Sequence, residues 1–538
     1  GITTVQALQA TSGTFSADST FNSVSIGKGA NSVSGNTVVG ETALDAAVTG
    51  SNNTAIGYQS LSANTTGTQN TAVGGASARA NTTGSYNTAV GHGSLLENTT
   101  GSNNTALGDD ALLTNTTASN NTAVGKNALY ANTTGASNVA VGHQALDANT
   151  TASNNSALGQ GALGANTTGA DNTAVGRYAL GGNTTADLNT AIGYAAMQAN
   201  TTGEYNVSVG AYALDANTTA SNNTAIGYHS LTANTDGYRN TAIGYQSMYS
   251  NTSGFDNVAV GDQALDANTT GDYNTAVGRN SLSSITTTDG HTAVGYNALM
   301  ANATGLYNCA VGFEAAHDST DKNQITAIGY KALHVADGHA NTAVGFEAMG
   351  VGSATGGYST AVGRQSLRTV IGGNNAALGY ASGYNLTTGT DNTLIGSNAG
   401  LSLTTASYNV AIGREALYTE DEQGSLVAVG RRAMYLNNGG TKNTALGHGA
   451  MYNNVNGDSN TAVGYYSLYN NLADSNTGCG NDALYSNTTG ASNTAVGYQA
   501  LYANTTNSHN TAFGYWALYN NDATYNTALG KEAARENT

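Results

Sequence analysis

The chain has 538 residues with no proline, 70 glycines and only 9% charged side chains, against about 5% Pro and about 25% charge in an ordinary globular chain. Its net charge of −17, with no basic cluster, argues against a nucleic-acid binder, and no run of about 18 apolar residues is present to cross a membrane as a helix. The composition is uniform from end to end, so no charge block or hinge marks a domain boundary. Gly1 is not an initiator methionine, and a chain trimmed from a longer product is expected.

Residues 1–22 read as an N-terminal lead-in segment. From Ser23 the chain repeats. The phrase Asn-Thr-Ala-Val-Gly recurs, and aligning on its glycine gives Gly40, Gly57, Gly74, Gly91 and so on in steps of 17, unbroken to Gly329. Later steps of 16 and 18 are mixed with 17, ending at Gly530. From Gly27 onward 31 such glycines occur. Periods of this kind signal a solenoid. The rung is N-T-A-V-G-Y-x-A-L-x-x-N-T-T-G-x-x, numbered here from position 1 (Asn53) to position 17 (Gln69). Two glycines and an NTTG turn leave no room for a helix. The expected fold is therefore all-β: a parallel β-solenoid over residues 23–538, with a 17-residue rung.

Within a rung, positions 1–4 are expected as one strand, the glycine as a corner, positions 6–10 as a second strand and positions 12–15 as a turn. Stacked rungs place each residue about 4.8 Å from its homologue. The corner glycines, among them Gly57, Gly74, Gly91, Gly227 and Gly530, need positive φ or have no room for a Cβ. Position 12, asparagine from Asn64 to Asn268 in thirteen consecutive rungs, is expected to form amide ladders. Sequons such as Asn64-Thr65-Thr66 read as turn chemistry. Alternation along the strand sends Ala at position 3 and Val, Ile or Leu at position 4 to opposite faces. Position 4, like the Leu or Met of position 9, is expected to be core. The alanine column then faces outward and calls for a cover, which an identical chain in a homotrimeric fibre would supply; the alternative is that alanine fills a tight corner of a monomeric solenoid.

Ser23-Val-Ser-Ile-Gly27 followed by N-T-A-V-G rungs resembles the head repeats of YadA-type trimeric autotransporter adhesins. The longer rung with its N-T-T-G turn, and the opening at Gly13–Asn22, are similar to repeat shafts of bacteriophage tail fibres. The resemblance implies a trimer, and a location on a virion tail or at the cell surface. It leaves handedness open, because parallel crossovers usually run right-handed and the autotransporter heads are left-handed. The stalk and anchor of autotransporters have no counterpart here. Neither does the self-cleaving chaperone domain that ends many phage fibres, which fits its removal.

A search for chemistry yields little. Glu420, Asp421 and Glu422 replace one turn and read as a solvated loop. Glu415 and Arg432 are set to bridge adjacent rungs. The nine histidines are scattered; His92, His143 and His448 share position 6 several rungs apart. Asp109 and Asp110 read as isolated and exposed. No nucleophile motif, phosphate loop or metal motif is present, so no enzyme, cofactor or metal is expected. Cys309 and Cys479 lie ten rungs apart, too far for a bridge. Tyrosine is the exception. Position 10 is tyrosine in seven consecutive rungs: Tyr418, Tyr435, Tyr452, Tyr469, Tyr485, Tyr502 and Tyr519. A second column holds Tyr465, Tyr498 and Tyr515, with Trp516 beside it. Such a column either stacks on itself to stabilise the sheet or, facing outward, stacks on sugars or on a protein. The expected function is a structural fibre that spans distance and presents a cell-surface glycan or receptor-binding face, most simply a tail-fibre shaft. A bacterial surface adhesin or filament is the alternative, with an ice-binding solenoid or a polysaccharide-degrading tailspike behind it. Ice binding needs outward threonine at alternate strand positions, and T-A-V does not supply it.

Overall fold

The computed structural model describes residues 19–335, 337–352, 356–420, 422 and 424–537; of the expected lead-in, residues 1–18 lie outside these. Ser19–Phe21 pairs antiparallel with Val24–Gly27, and that strand pairs antiparallel with Thr37–Gly40. The parallel stack begins at Thr37–Gly40, which pairs in register with Thr54–Ile56. The only helical turn among the described residues is the 3-10 turn Ala30–Ser32.

The chain divides into two compact units, one through Asp256 and one from Asn257. Each is a parallel β-solenoid. The first stacks thirteen strands from Thr37–Gly40 to Thr241–Ile243, the second seventeen from Val258–Val260 to Thr527–Leu529. Homologous positions face each other, as Thr54 faces Thr71, Ala55 faces Ala72 and Ile56 faces Val73. After Thr37–Gly40 the stacked strands are three residues long because Thr and Val favour extended backbone and the glycine that follows leaves it. Gly57 has φ 128°.

Positions 6–10 are not the expected second strand. Gln59 and Leu61, at positions 7 and 9, have φ of 55° and 49° and alternate with residues whose φ is not positive. The backbone still bonds along the axis. Gln59 N–H donates to Glu41 C=O in the previous rung (3.0 Å), while Leu61 N–H donates to Ser77 C=O in the next (3.1 Å). Left-handed φ costs a leucine about 1–2 kcal/mol. Leu61 is completely buried, which returns about 1.5–3 kcal/mol, so burial wins.

The two apolar columns of the strand are the reverse of expectation. Position 3 is the interior: Ala55, Ala72, Ala89 and Ala106 are all 0% exposed. Position 4 points outward, with Ile56 at 38% and Leu107 at 46% exposed. A 17-residue coil is too narrow for two rows of large side chains. Leucine at position 9 fills it, and alanine is what remains opposite. One local exchange makes this plain. Where Leu394 replaces alanine at position 3, glycine replaces leucine at position 9 in its own rung and the one before. A Cβ on Gly383 or Gly400 would lie 2.7 and 2.9 Å from Leu394 methyl carbons.

Two asparagine columns complete the interior, both buried. At position 12, Asn81 Nδ2 donates to Asn64 Oδ1 (2.8 Å) and to Gly84 C=O (3.0 Å). At position 1, Asn70 Oδ1 accepts the Asn87 backbone N–H (2.9 Å), and Asn70 Nδ2 donates to the same Gly84 carbonyl (2.8 Å). The NTTG turn thus folds inward on amides that satisfy its buried carbonyl. His291 replaces asparagine at position 1 and copies it, its Nδ1 accepting Asn308 N–H at 3.3 Å. Glu420 occupies position 12 and is buried, accepting Asn437 Nδ2 at 2.5 Å. It is therefore not part of a solvated loop; Glu422 is exposed, and Asp421 lies outside the described residues. Cys309 and Cys479 are both unpaired.

Gly227 has φ 134°, and a Cβ there would lie 2.6 Å from the carbonyl carbon of Gly244. Gly227→Val is expected to cost at least about 1–3 kcal/mol, confined to neighbouring rungs because solenoid energies sum locally. Hydrogen exchange that speeds up around Gly210–Gly244 and nowhere else is the expected readout. A second prediction concerns His291, whose pKa burial pulls down from 6.5 to about 4. The unfolded chain takes up a proton below pH 6.5 that the folded chain refuses until about pH 4. Stability present at neutral pH is therefore lost across that window, by about 3 kcal/mol when complete. His291→Asn restores the amide, and exchange at the Thr275 and Thr292 amides should then lose this acid sensitivity while the native chain keeps it.

Candidate functional site

Position 10 leaves the interior directly after the buried leucine, so its side chain lies along the outer wall. In the second unit this puts the seven tyrosines Tyr418 to Tyr519 in one file. Successive rings are 4.9–5.3 Å apart and tilted by only 5–17°. All seven are half-buried. Each inner ring has both faces covered by its neighbours, so the file shows solvent ring edges rather than faces. Burial pushes the hydroxyls of Tyr435, Tyr469 and Tyr502 above the usual phenol range.

Charge is arranged along one flank. The Arg432 guanidinium Nε donates to Glu415 at 2.5 Å, and Arg414 meets the same carboxylate at 2.9 Å. The hydrogen bond from Arg432 is the main reason Glu415 is held below the usual carboxylate range. Arg432 also lies over Tyr435, 5.4 Å from the ring centre. Arg431, one residue back at position 6, is exposed and has no ion-pair partner among the described residues.

Between them is a cavity of about 160 Å³, lined by Arg431, Arg432, His448, Tyr452, Tyr466 and Tyr469, with Gly449 at its base. The glycine explains it. Gly449 stands at position 7, and Tyr466 of the next rung lies over the place a side chain would fill. His448 stacks on Tyr465 at 5.3 Å. Burial, then Arg431 and Arg432, lowers its pKa, so the ring tends to the neutral form. Two guanidinium groups, one of them unpaired, and a wall of phenols form a surface that accepts an anionic group on a polar, ring-shaped ligand.

The second column is present too: Tyr498 and Tyr515 stack at 5.2 Å, and Trp516 donates Nε1–H to Gln499 at 2.8 Å. Sequence reasoning overlooked a longer run at the same position. Tyr296, Phe313, Tyr330 and Phe346 stack at 5.0–5.4 Å and are each about 40% exposed; four aromatics in succession after the corner glycine were the signal. The first unit holds a cavity of about 500 Å³ where glycines 161, 164, 181 and 182 replace side chains on the outer wall. Asp147 and Asp215 stand in its lining, and burial raises both carboxyls.

Neither a protein-family model nor a curated protein matches the chain. No described helix is long and apolar enough to cross a membrane. Gly449→Ala should close the small cavity, because the added methyl overlaps the Tyr466 ring. Displacement of Tyr466 into solvent, seen as faster chemical modification of that tyrosine, with a cost of about 1–2 kcal/mol, is the expected result.

Proposed function

We propose that the chain is a structural fibre that spans distance and presents a receptor-binding surface, most simply the shaft of a phage tail fibre. A bacterial surface adhesin is the alternative on the same physics. The observation that carries the reading is the rung-to-rung bonding, in which length follows repeat number instead of a closed core. Thirteen and seventeen stacked strands correspond to roughly 58 and 77 Å of solenoid in the two units. A virion tail or the cell surface is where such a length is useful.

Within this reading the chain forms a homotrimer, with a changed interface. The alanine column is inside, so the outward column of Val, Ile and Leu is the surface in want of a partner. It is flanked by the threonines of position 2, and both repeat at the rung spacing. Receptor contact is assigned to the flank of the tyrosine file at Arg431, Arg432 and the Gly449 cavity, with an acidic cell-surface saccharide as the fitting ligand.

The outward Thr-x-Val columns favour one other reading. T-A-V does place threonine outward once alanine is the buried residue, and a flat, regular Thr and Val face is the geometry that orders water on ice. Thermal hysteresis in dilute solution would support that reading; its absence would remove it.

The fibre reading is tested by mass in solution. A trimer is expected, and Ile192→Asp with Ile226→Asp should dissociate it while leaving the β signal intact. A monomeric native chain would sink the assembly. Replacing Tyr452, Tyr469 and Tyr485 with threonine separates adhesion from stability. Lost glycan binding with a nearly unchanged melting point supports recognition; lost stability with binding intact shows that the stack only holds rungs together.

A further inference from the structure

Positions 7, 10 and 11 of two consecutive rungs in the second unit bring together Glu314, His317, Asp318, Lys331 and His334. His317 and His334 are both at position 10, one rung apart, and their imidazoles lie parallel at 5.2 Å with a 6° tilt. Elsewhere this position holds many residue types, among them Asp, Ser, Tyr, Leu, Gly and Arg, but no other histidine. Asp318 bridges the Nδ1 edges of the two rings: its Oδ1 is 2.6 Å from His317 Nδ1 and its Oδ2 is 3.8 Å from His334 Nδ1. The three residues each offer one ligand atom, all within 4.8 Å of one another.

We propose that His317, His334 and Asp318 bind one divalent transition-metal ion of the zinc class per chain, with Glu314 as the positioning residue behind His334. Two imidazole nitrogens and a carboxylate suit zinc and its neighbours better than calcium or magnesium, which take oxygen shells. Zinc bonds of about 2.1 Å span at most about 4.2 Å between two ligands, so a small side-chain rotation closes the set around an ion. The three side chains are only partly covered, at 19%, 22% and 45% exposure, which leaves that rotation and a fourth, solvent ligand possible.

The second observation is behind the first ring of ligands. His334 turns its other nitrogen, Nε2, to Glu314 Oε2 at 3.2 Å. A carboxylate on the far side of an imidazole is the arrangement that fixes a ligating histidine's tautomer and raises its basicity. Glu314 is itself held by Lys331 at 3.2 Å, so the ammonium sits on the positioning carboxylate and not on Asp318. The contrast is His92 with Asp109 and Asp110. There the histidine is 74% exposed, it has no carboxylate behind it, and Lys126 pairs with Asp109 at 3.2 Å. That cluster offers one nitrogen, and a cation already occupies one of its carboxylates.

The test uses the full, tag-free chain stripped with a chelator and titrated with zinc chloride against a chromophoric competitor. One ion per chain is expected. His317→Gln and His334→Gln should each lower affinity at least 100-fold, and Glu314→Gln about 10–100-fold. His92→Gln should leave it unchanged. Position 10 accepts many side chains, so these variants should fold; unchanged circular dichroism and an unaltered melting point in chelator verify it. Zinc should also slow hydrogen exchange at the Ala316 and Leu333 amides of the native chain and not of Glu314→Gln. Millimolar or weaker binding, or binding retained in the double histidine variant, overturns the proposal. So does a Glu314→Gln variant that binds as well as the native chain, since that removes the positioning role.

Discussion

The hydrogen bond along the solenoid axis, from a residue to a rung about seventeen positions away, is the interaction on which the remaining features depend. It is not confined to the three-residue strands. Thr54 reaches Asn70 at 2.8 Å, Ala63 reaches Arg79 at 3.1 Å, Thr65 reaches Thr82 at 2.8 Å and Gln69 reaches Ser51 at 3.1 Å. Nearly every peptide group must therefore point along the axis, and that dictates the unusual backbone. Left-handed φ at positions 7, 9 and 17 turns successive groups up and down. Proline, which offers no donor, is absent from the chain. The corner glycine follows from the same rule, because a Cβ would enter the backbone of the glycine above it.

A coil built this way has little apolar area to bury per rung. The interior is one leucine or methionine, two or three small residues and two asparagines. Amides succeed inside because each finds the same partners in every rung. A buried amide left unpaired would cost about 1–3 kcal/mol, and the ladder leaves few of them so. The replacements show what the columns tolerate. His291 supplies an acceptor where an amide oxygen stood. Glu420 supplies one for Asn437. Leu394 enters the alanine column only because Gly383 and Gly400 make room.

The same regularity shapes the surface. Any side chain repeated at one outer position is stacked on itself, whatever its chemistry. Tyrosines become a column with hidden faces, two histidines become a parallel pair, and consecutive glycines become a groove. Departures from the consensus at positions 6, 7, 10 and 11 are therefore where distinct surfaces arise, whereas departures at positions 1, 3, 9 and 12 are repairs to the interior. This distinction connects the Arg431–Tyr469 cavity with the His317–His334 cluster: both lie on the outer wall, the first built from three consecutive rungs and the second from two.

By itself the sequence determined the period, the all-β parallel stack, the corner glycines, the amide ladder and the file of tyrosines. Each of these is a property of one column, and a column can be read by counting. What a count could not decide is which side of the wall a column faces. Ala343 and Val344 are both apolar, and alternation says only that they are opposed. The choice came from the width of the closed coil, in which the Leu or Met of position 9 is matched by alanine at position 3 in most rungs, with Val38 beside Leu44 in the first stacked rung as an exception. Positions 6–10 were misread as a strand for a related reason, since a bulky residue in left-handed backbone, such as Leu61, is stable only when tertiary burial outweighs its local strain. The histidine pair was visible as a spacing of 17, but its meaning depended on Asp318 and Glu314. Only the folded wall brings positions 7, 10 and 11 of neighbouring rungs within reach of one another.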